Sequence, residues 1–341
     1  MMYRKNAYLQ PRLIVAISLF ALGACGTVGR QHLRSLAPAD VVMLASDGRR
    51  EIHSLFGAYQ PLLDQGWQLD IIAWSHPEGT TAALPIIALR TPRSGPATWF
   101  FTGIHGEEPA GPNAMAGVVQ RLASLGRRQP VVIVPLCNPH GYVRSWRYLN
   151  MAQYDPAIAG QSVGDSSHWL ARADELTRPR EVAPSSLEAA ALTQYVVTTA
   201  ARYPPRVSID LHEDNLIDEG YVYSQGRLGQ VDPLAQAAVA VLRDKGIPIR
   251  QSGTTRFGEA ISGGLIGPVV DSSIDELMSA GSLVRDGHSI AGPNAGTVLV
   301  FETPARALPL TTRVAAHRAL LERLIDDLAA QERRRPSQWA N

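Results

Sequence analysis

The sequence predicts an α/β fold, a single body of alternating strands and helices. Three observations carry this. Short apolar or β-branched runs of strand length alternate along the chain with longer segments of helical period. Several of those runs are apolar at every position, as strands buried on both faces are. The composition, 45% hydrophobic and 18% charged over 341 residues, supports a sizeable core and excludes a disordered or collagen-like chain. The length admits one large domain or two ordinary ones. No internal repeat or Pro/Ser-rich linker divides it.

The formal charge of +1 comes from 32 basic and 31 acidic residues. It offers no basic excess to neutralise phosphates, so no nucleic-acid partner is expected. Two cysteines exclude a disulfide-stapled scaffold and a four-cysteine zinc site.

In chain order, Arg4, Lys5 and Arg12 precede an apolar run, 13–24, that ends Leu22-Gly23-Ala24-Cys25. A positive start, a short apolar stretch and small residues make a secretory signal, too short for an ordinary membrane-spanning helix. The ending resembles a bacterial lipobox, which implies cleavage after residue 24 and a lipid on Cys25. A plain signal peptide with an incidental cysteine is the competing reading. No Asp follows Cys25, so the resemblance implies the outer membrane, facing the periplasm. Cleavage would remove three basic residues, leave a mature charge of −2, and leave Cys137 as a buried structural thiol. Residues 25–40 read as a tether, 41–331 as the body and 332–341 as a disordered tail.

Within the body, strands are expected at 69–74, 84–89, 98–102, 131–136, 207–211 and 297–301. Helices are expected at 111–125, 185–201, 233–245 and 311–331. Segments 152–181 and 252–292 show no clear period and read as long excursions, the kind of loop that carries function on a compact scaffold.

Four groups of polar residues sit at the ends of the predicted strands. His105 and Glu108, in Ile104-His105-Gly106-Glu107-Glu108, are three apart, and imidazole nitrogen plus carboxylate oxygen is a zinc-compatible pair. Alone, His-x-x-Glu is a weak signal. His212, in Asp210-Leu211-His212-Glu213, ends another apolar run, with Asp210 placed to orient it; in isolation it is more simply a satisfied histidine. Glu302 ends the run 297–301, where a carboxylate must be solvated, paired or functional; a general base is one role, a surface glutamate the other. Asn138-Pro139-His140-Gly141 turns the chain after 131–136 and leads to Arg144 and Arg147, side chains suited to polarising a carbonyl or clamping a carboxylate, or simply solvated.

Taken in order, these motifs resemble the zinc carboxypeptidase family: His-x-x-Glu, then Asn-Pro-Asp-Gly followed by Arg, a strand-end His, and a late Glu. The 104 positions from Glu108 to His212 match the family's spacing, and the resemblance covers roughly residues 65–330. It implies a twisted, mostly parallel to mixed, eight-stranded sheet flanked by helices. It implies one zinc ion per chain, held by His105, Glu108 and His212. Arg147 would polarise the scissile carbonyl, and Glu302 would be the general base to zinc-activated water. The implied activity is that of a metallopeptidase cleaving an amide bond, with peptidoglycan stem peptides in the periplasm as the expected substrate.

There are departures. His140 stands where the family has Asp. No Asn-Arg dipeptide, the usual clamp for a terminal carboxylate, follows Arg147; Arg144, Asn150 and Arg256 are the stand-ins. The related succinylglutamate desuccinylase and aspartoacylase branch shares the ligand motif, so hydrolysis of N-acyl amino acids is the alternative. A non-catalytic binding lipoprotein is a second, although no ligand or base is missing. Gly160-Gln161-Ser162-Val163-Gly164 matches the serine-hydrolase elbow, but lacks the buried strand that must precede it.

Overall fold

The computed structural model describes residues 32–37, 41–75, 83–148, 167–181 and 183–334. All lie in the packing unit His32–Asn341. Cys25 with its signal segment, Asn150 and the Ser162 elbow fall outside the described residues. No helix among the described residues is long and apolar enough to cross a membrane.

The first element among the described residues is a 3-10 turn, Leu33–Leu36, whose Leu33 is fully buried in the main core, so part of the segment read as a tether packs onto the body. Helices α1 (Ile52–Gly57) and α2 (Gln60–Asp64) follow. Next come β1 (Gln68–Ser75), β2 (Leu84–Arg90) and β3 (Ala97–Thr102), all at predicted positions. The predicted helix 111–125 is instead two, α3 (Ala110–Ala116) and α4 (Val119–Gly126), interrupted at Gly117-Val118. Glycine weakens helix interiors, and the break lets α4 start anew with its apolar side inward. Strand β4 (Val131–Val134) leads into α5 (Pro139–Arg144), capped by the Asn138 side chain, which accepts from the Gly141 N–H at 2.8 Å.

The second half continues with α6 (Leu187–Ala200, capped by Ser186), β5 (Pro205–Asp214), β6 (Tyr221–Ser224) and α7 (Pro233–Asp244, capped by Asp232 with proline at its first position). The excursion 252–292 is structured. It holds β7 (Ser252–Thr254), β8 (Ala260–Ser262), β9 (Leu265–Ile266), α8 (Ile274–Ser279), β10 (Ser282–Arg285) and β11 (His288–Ala291). Strand β12 (Thr297–Pro304) and α9 (Leu310–Arg334) close the fold, so the helix runs past the predicted end at 331.

Ten strands form one mixed sheet in the order β1-β2-β4-β3-β5-β12-β6-β9-β8-β7. It is wider than the eight expected because β7–β9 extend one edge. Its centre, β4-β3-β5-β12, is parallel, and β2 and β6 flank that centre antiparallel. Side chains alternate across the sheet. Phe100, Ile209, Leu299 and Phe301 meet α3, α4, α7 and α9 on one face. Trp99, Phe101, Val132 and Val298 meet α6 and α8 on the other. Each such side chain, fully buried, contributes about 1.5–3 kcal/mol. Because the central strands are parallel, β3, β4, β5 and β12 all deliver their carboxyl ends to one edge, the usual place for a site in an open α/β sheet.

Candidate metal centre

At that edge the sequence motifs converge. The loop after β3 brings His105 and Glu108, the end of β5 brings His212, and β12 sets Glu302 directly beside His212 in the parallel register. Glycine makes the loop possible. A Cβ on Gly106 would lie 1.9 Å from the Gly141 carbonyl carbon, so only glycine lets the loop sit against α5.

His105 Nδ1 lies 2.8 Å from Glu108 Oε1 and His212 Nδ1 2.9 Å from Glu108 Oε2, with the two Nδ1 atoms 3.1 Å apart. All three side chains are buried. Burial alone would raise the Glu108 pKa, but the two histidines outweigh it and hold the carboxyl well below its usual range. Burial would depress His212, yet Asp210 and Glu108 push it well above an ordinary histidine. His212 Nε2 sits 3.2 Å from Asp210 Oδ2 on the same strand. Two imidazole nitrogens and a carboxylate pointed at one place make a zinc donor set, and the three can supply ligand atoms within 4.8 Å of one another. The residues therefore fit the ion that the resemblance implies.

Glu302 is half-buried, but its Oε2 is shielded from solvent and has no hydrogen-bond partner among the described residues. Burial, with Glu108 and Asp214 nearby, pushes its pKa well above the carboxylate range against the pull of His212 and Arg147. Arg147 lies across the site, donating from Nη1 to Glu108 at 3.0 Å and Glu107 at 3.2 Å, and from Nε to the Tyr148 hydroxyl at 3.0 Å.

These residues open on a cavity of about 560 Å³, within the range of small-molecule sites. His105, His212, Arg147 and Glu302 line it. The opposite wall comes from 252–292 and β6: Arg256, Phe257, Asp271, Asp275 and Glu259, whose Oε2 accepts from the Tyr223 hydroxyl at 2.7 Å.

Solved structures place this architecture. A candidate metallopeptidase of Shewanella amazonensis SB2B aligns with a TM-score of 0.62 at 19% identity, over 80% of this chain and 92% of that one. One from Shewanella baltica OS155 gives 0.58 at 21%, over 79% and 90%. Carboxypeptidase A of Helicoverpa armigera gives 0.51 at 13%, over 84% and 74%. The chain has the zinc carboxypeptidase fold. No family profile and no curated protein match the sequence.

Within this carboxypeptidase fold the remaining expected residues separate. Arg256 reaches the cavity, its guanidinium 4.6 Å from the centre of the Phe257 ring. Arg144 does not line it; its Nη1 is 2.9 Å from His140 Nδ1, and it covers Trp146. The structure thus does not bring Arg144 to the cavity lining beside Arg147 and Arg256. His140, the departure from the family's Asp, also packs there, with Nε2 2.9 Å from the Ser75 carbonyl.

Sequence reasoning missed Arg49, which is buried and donates from Nη1 to the carbonyl of Gly106 at 2.8 Å and to that of Tyr142 while pairing with Asp47. It grips the very loop that carries His105 and Glu108. No motif marks it, since it comes from the segment before α1. Tyr223 and Glu259 were missed as well. Tyr223 sits on a four-residue strand too short to read, and Glu259 meets it only through the fold.

Proposed function

We propose that the protein is a zinc-dependent amide hydrolase of the metallocarboxypeptidase type, acting on peptidoglycan stem peptides from a lipid anchor at Cys25 in the periplasm. One observation carries the reading. His105, Glu108 and His212 form a zinc-compatible donor set, and the unpartnered carboxylate oxygen of Glu302 stands beside it in the same cavity. A bound zinc ion supplies Lewis acidity to a carbonyl and to water.

The chain's own residues supply the rest. Glu302 Oε2 takes the proton of the attacking water and returns it to the departing amine. Its Oε2 is shielded from solvent and makes no hydrogen bond among the described residues, which leaves it available to carry that proton. Arg147 holds the substrate carbonyl oxygen. Arg256 meets a substrate carboxylate in place of the missing Asn-Arg pair, and Asp275, buried on the cavity wall, faces a substrate amine. Glu276, the other acidic residue on that turn, is taken up by Arg180 at 2.9 Å and by the Ser272 N–H at 2.8 Å. The periplasmic substrate rests on the lipobox resemblance at Cys25.

Incubating zinc-loaded protein and its Glu302→Gln variant with stem peptides and with N-acyl amino acids, and weighing the products, tests this reading. Expected are stem-peptide cleavage by the wild type and a fall in kcat of about 10²–10⁴ in the variant, with zinc retained. Near-normal turnover by the variant would remove Glu302 as the base. Brisk hydrolysis of N-acyl amino acids alone would make the protein a deacylase.

A further inference from the structure

Two of the proposed ligands come from different elements. Glu108 stands two residues before α3, and His212 lies near the end of β5. Something must fix one against the other, and the residue at that junction is Glu213. Its backbone N–H donates to Glu108 Oε2 at 3.1 Å. Its side chain turns away from the cavity: Oε2 accepts from the Ala110 N–H, in the first turn of α3, at 2.8 Å, while Oε1 pairs with Arg313 of α9.

Glu213 is 1% exposed, and Arg313 is itself held by the Leu308 carbonyl at 3.0 Å. The approach of α3 to β5 is tight. A Cβ on Gly111 would fall 2.8 Å from Leu211 Cβ, so glycine lets the helix start come within reach of the Glu213 carboxylate.

A buried Arg–Glu pair adds little net stability, because the cost of removing two charges from water offsets their attraction. What this pair does is geometric. The Glu213 N–H reaches Glu108, its carboxylate reaches the helix start two residues beyond Glu108 and the Arg313 that braces it, and Glu213 is bonded directly to His212. We infer that Glu213, braced by Arg313, is the positioning residue of the metal centre, holding Glu108 and His212 in mutual register. This rests on the proposed metal reading. Residues that orient metal ligands commonly change metal affinity by about 10–100-fold when lost.

The test is a double substitution, Glu213→Leu with Arg313→Met, which replaces the pair by apolar side chains of similar volume and so leaves the core filled. Three quantities are measured on wild type and variant: Zn²⁺ affinity by chelator competition, the visible absorption band of the Co²⁺-loaded protein, and the melting of the metal-free protein. Expected is a melting curve close to wild type, Zn²⁺ binding weaker by about 10–100-fold, and a shifted Co²⁺ band. Glu213→Gln, which keeps an acceptor for the Ala110 N–H, should recover part of the affinity.

A folded double variant with wild-type Zn²⁺ affinity and Co²⁺ band would overturn the inference. If the double variant does not fold, Glu213→Gln decides, since wild-type affinity and spectrum there would overturn it equally. A wild type that binds no stoichiometric Zn²⁺ would remove the metal reading and this inference together, an outcome distinct from a wild-type site that survives in the variant.

Discussion

His317 of α9 is fully buried, with Nε2 2.9 Å from the Thr303 hydroxyl, behind the strand end that carries Glu302. Burial, then Arg313 and His212, lower its pKa from 6.5 to about 3. The folded chain therefore keeps the ring neutral where the unfolded chain protonates it. Because the folded value is depressed, the unfolded state binds more protons between pH 6.5 and 3, and stability falls as pH drops through that window. At pH 5 nearly all unfolded molecules carry the extra proton and nearly no folded ones do, which makes the loss relative to pH 8 about 2 kcal/mol from this one group. That is a sizeable part of an ordinary stability of about 5–15 kcal/mol.

The assay is urea unfolding of metal-free wild type and His317→Gln at pH 8 and pH 5. Glutamine fills the site and can bond Thr303 but does not titrate. Wild type should lose about 2 kcal/mol more than the variant over that interval, roughly 1 M in the urea midpoint for a slope near 2 kcal/mol/M. Groups that titrate alike in both proteins cancel in the comparison. Identical pH dependence in the two would refute the reasoning.

Other outcomes follow from the same geometry. Arg49→Met removes the guanidinium that holds the Gly106 and Tyr142 carbonyls and should cost about 2–3 kcal/mol, read from unfolding midpoints; a loss under about 0.5 kcal/mol would mean the clamp is not used. Arg256→Ala should raise KM for substrates with a free terminal carboxylate and spare their amidated versions. Equal effects on both would take Arg256 out of substrate recognition.

The parts of the fold that were legible are those where physics acts locally. The six predicted strands are apolar runs of strand length, and each forms within a few residues of its expected span. Strand β6 and the strands of 252–292 were not legible, because β7 is exposed throughout and β9 is two residues long, too short for any period to register. The split between α3 and α4 was hidden because apolar spacing continues across Gly117.

At the site, His105 and Glu108 were readable as neighbours in sequence. Their meeting with His212, and the placing of Glu302 beside His212, depend on the parallel register of β3, β5 and β12, which strand ends suggest but only pairing establishes. Arg49 reaches the ligand loop and Arg313 reaches Glu213 from segments far away in sequence, and a buried arginine looks like any other in sequence. Glu213 was visible beside His212, but which of its acidic neighbours turned inward was decided by the strand pleat and by α9.

The zinc content of the purified protein tests the metal centre most directly. Metal analysis of wild type and His212→Ala, each dialysed with Zn²⁺ and then against metal-free buffer, should return one zinc per wild-type chain. The variant should return none while keeping its circular dichroism, since the sheet forms without the ion. A wild type without stoichiometric zinc, or a variant that keeps it, would contradict the centre assigned to His105, Glu108 and His212.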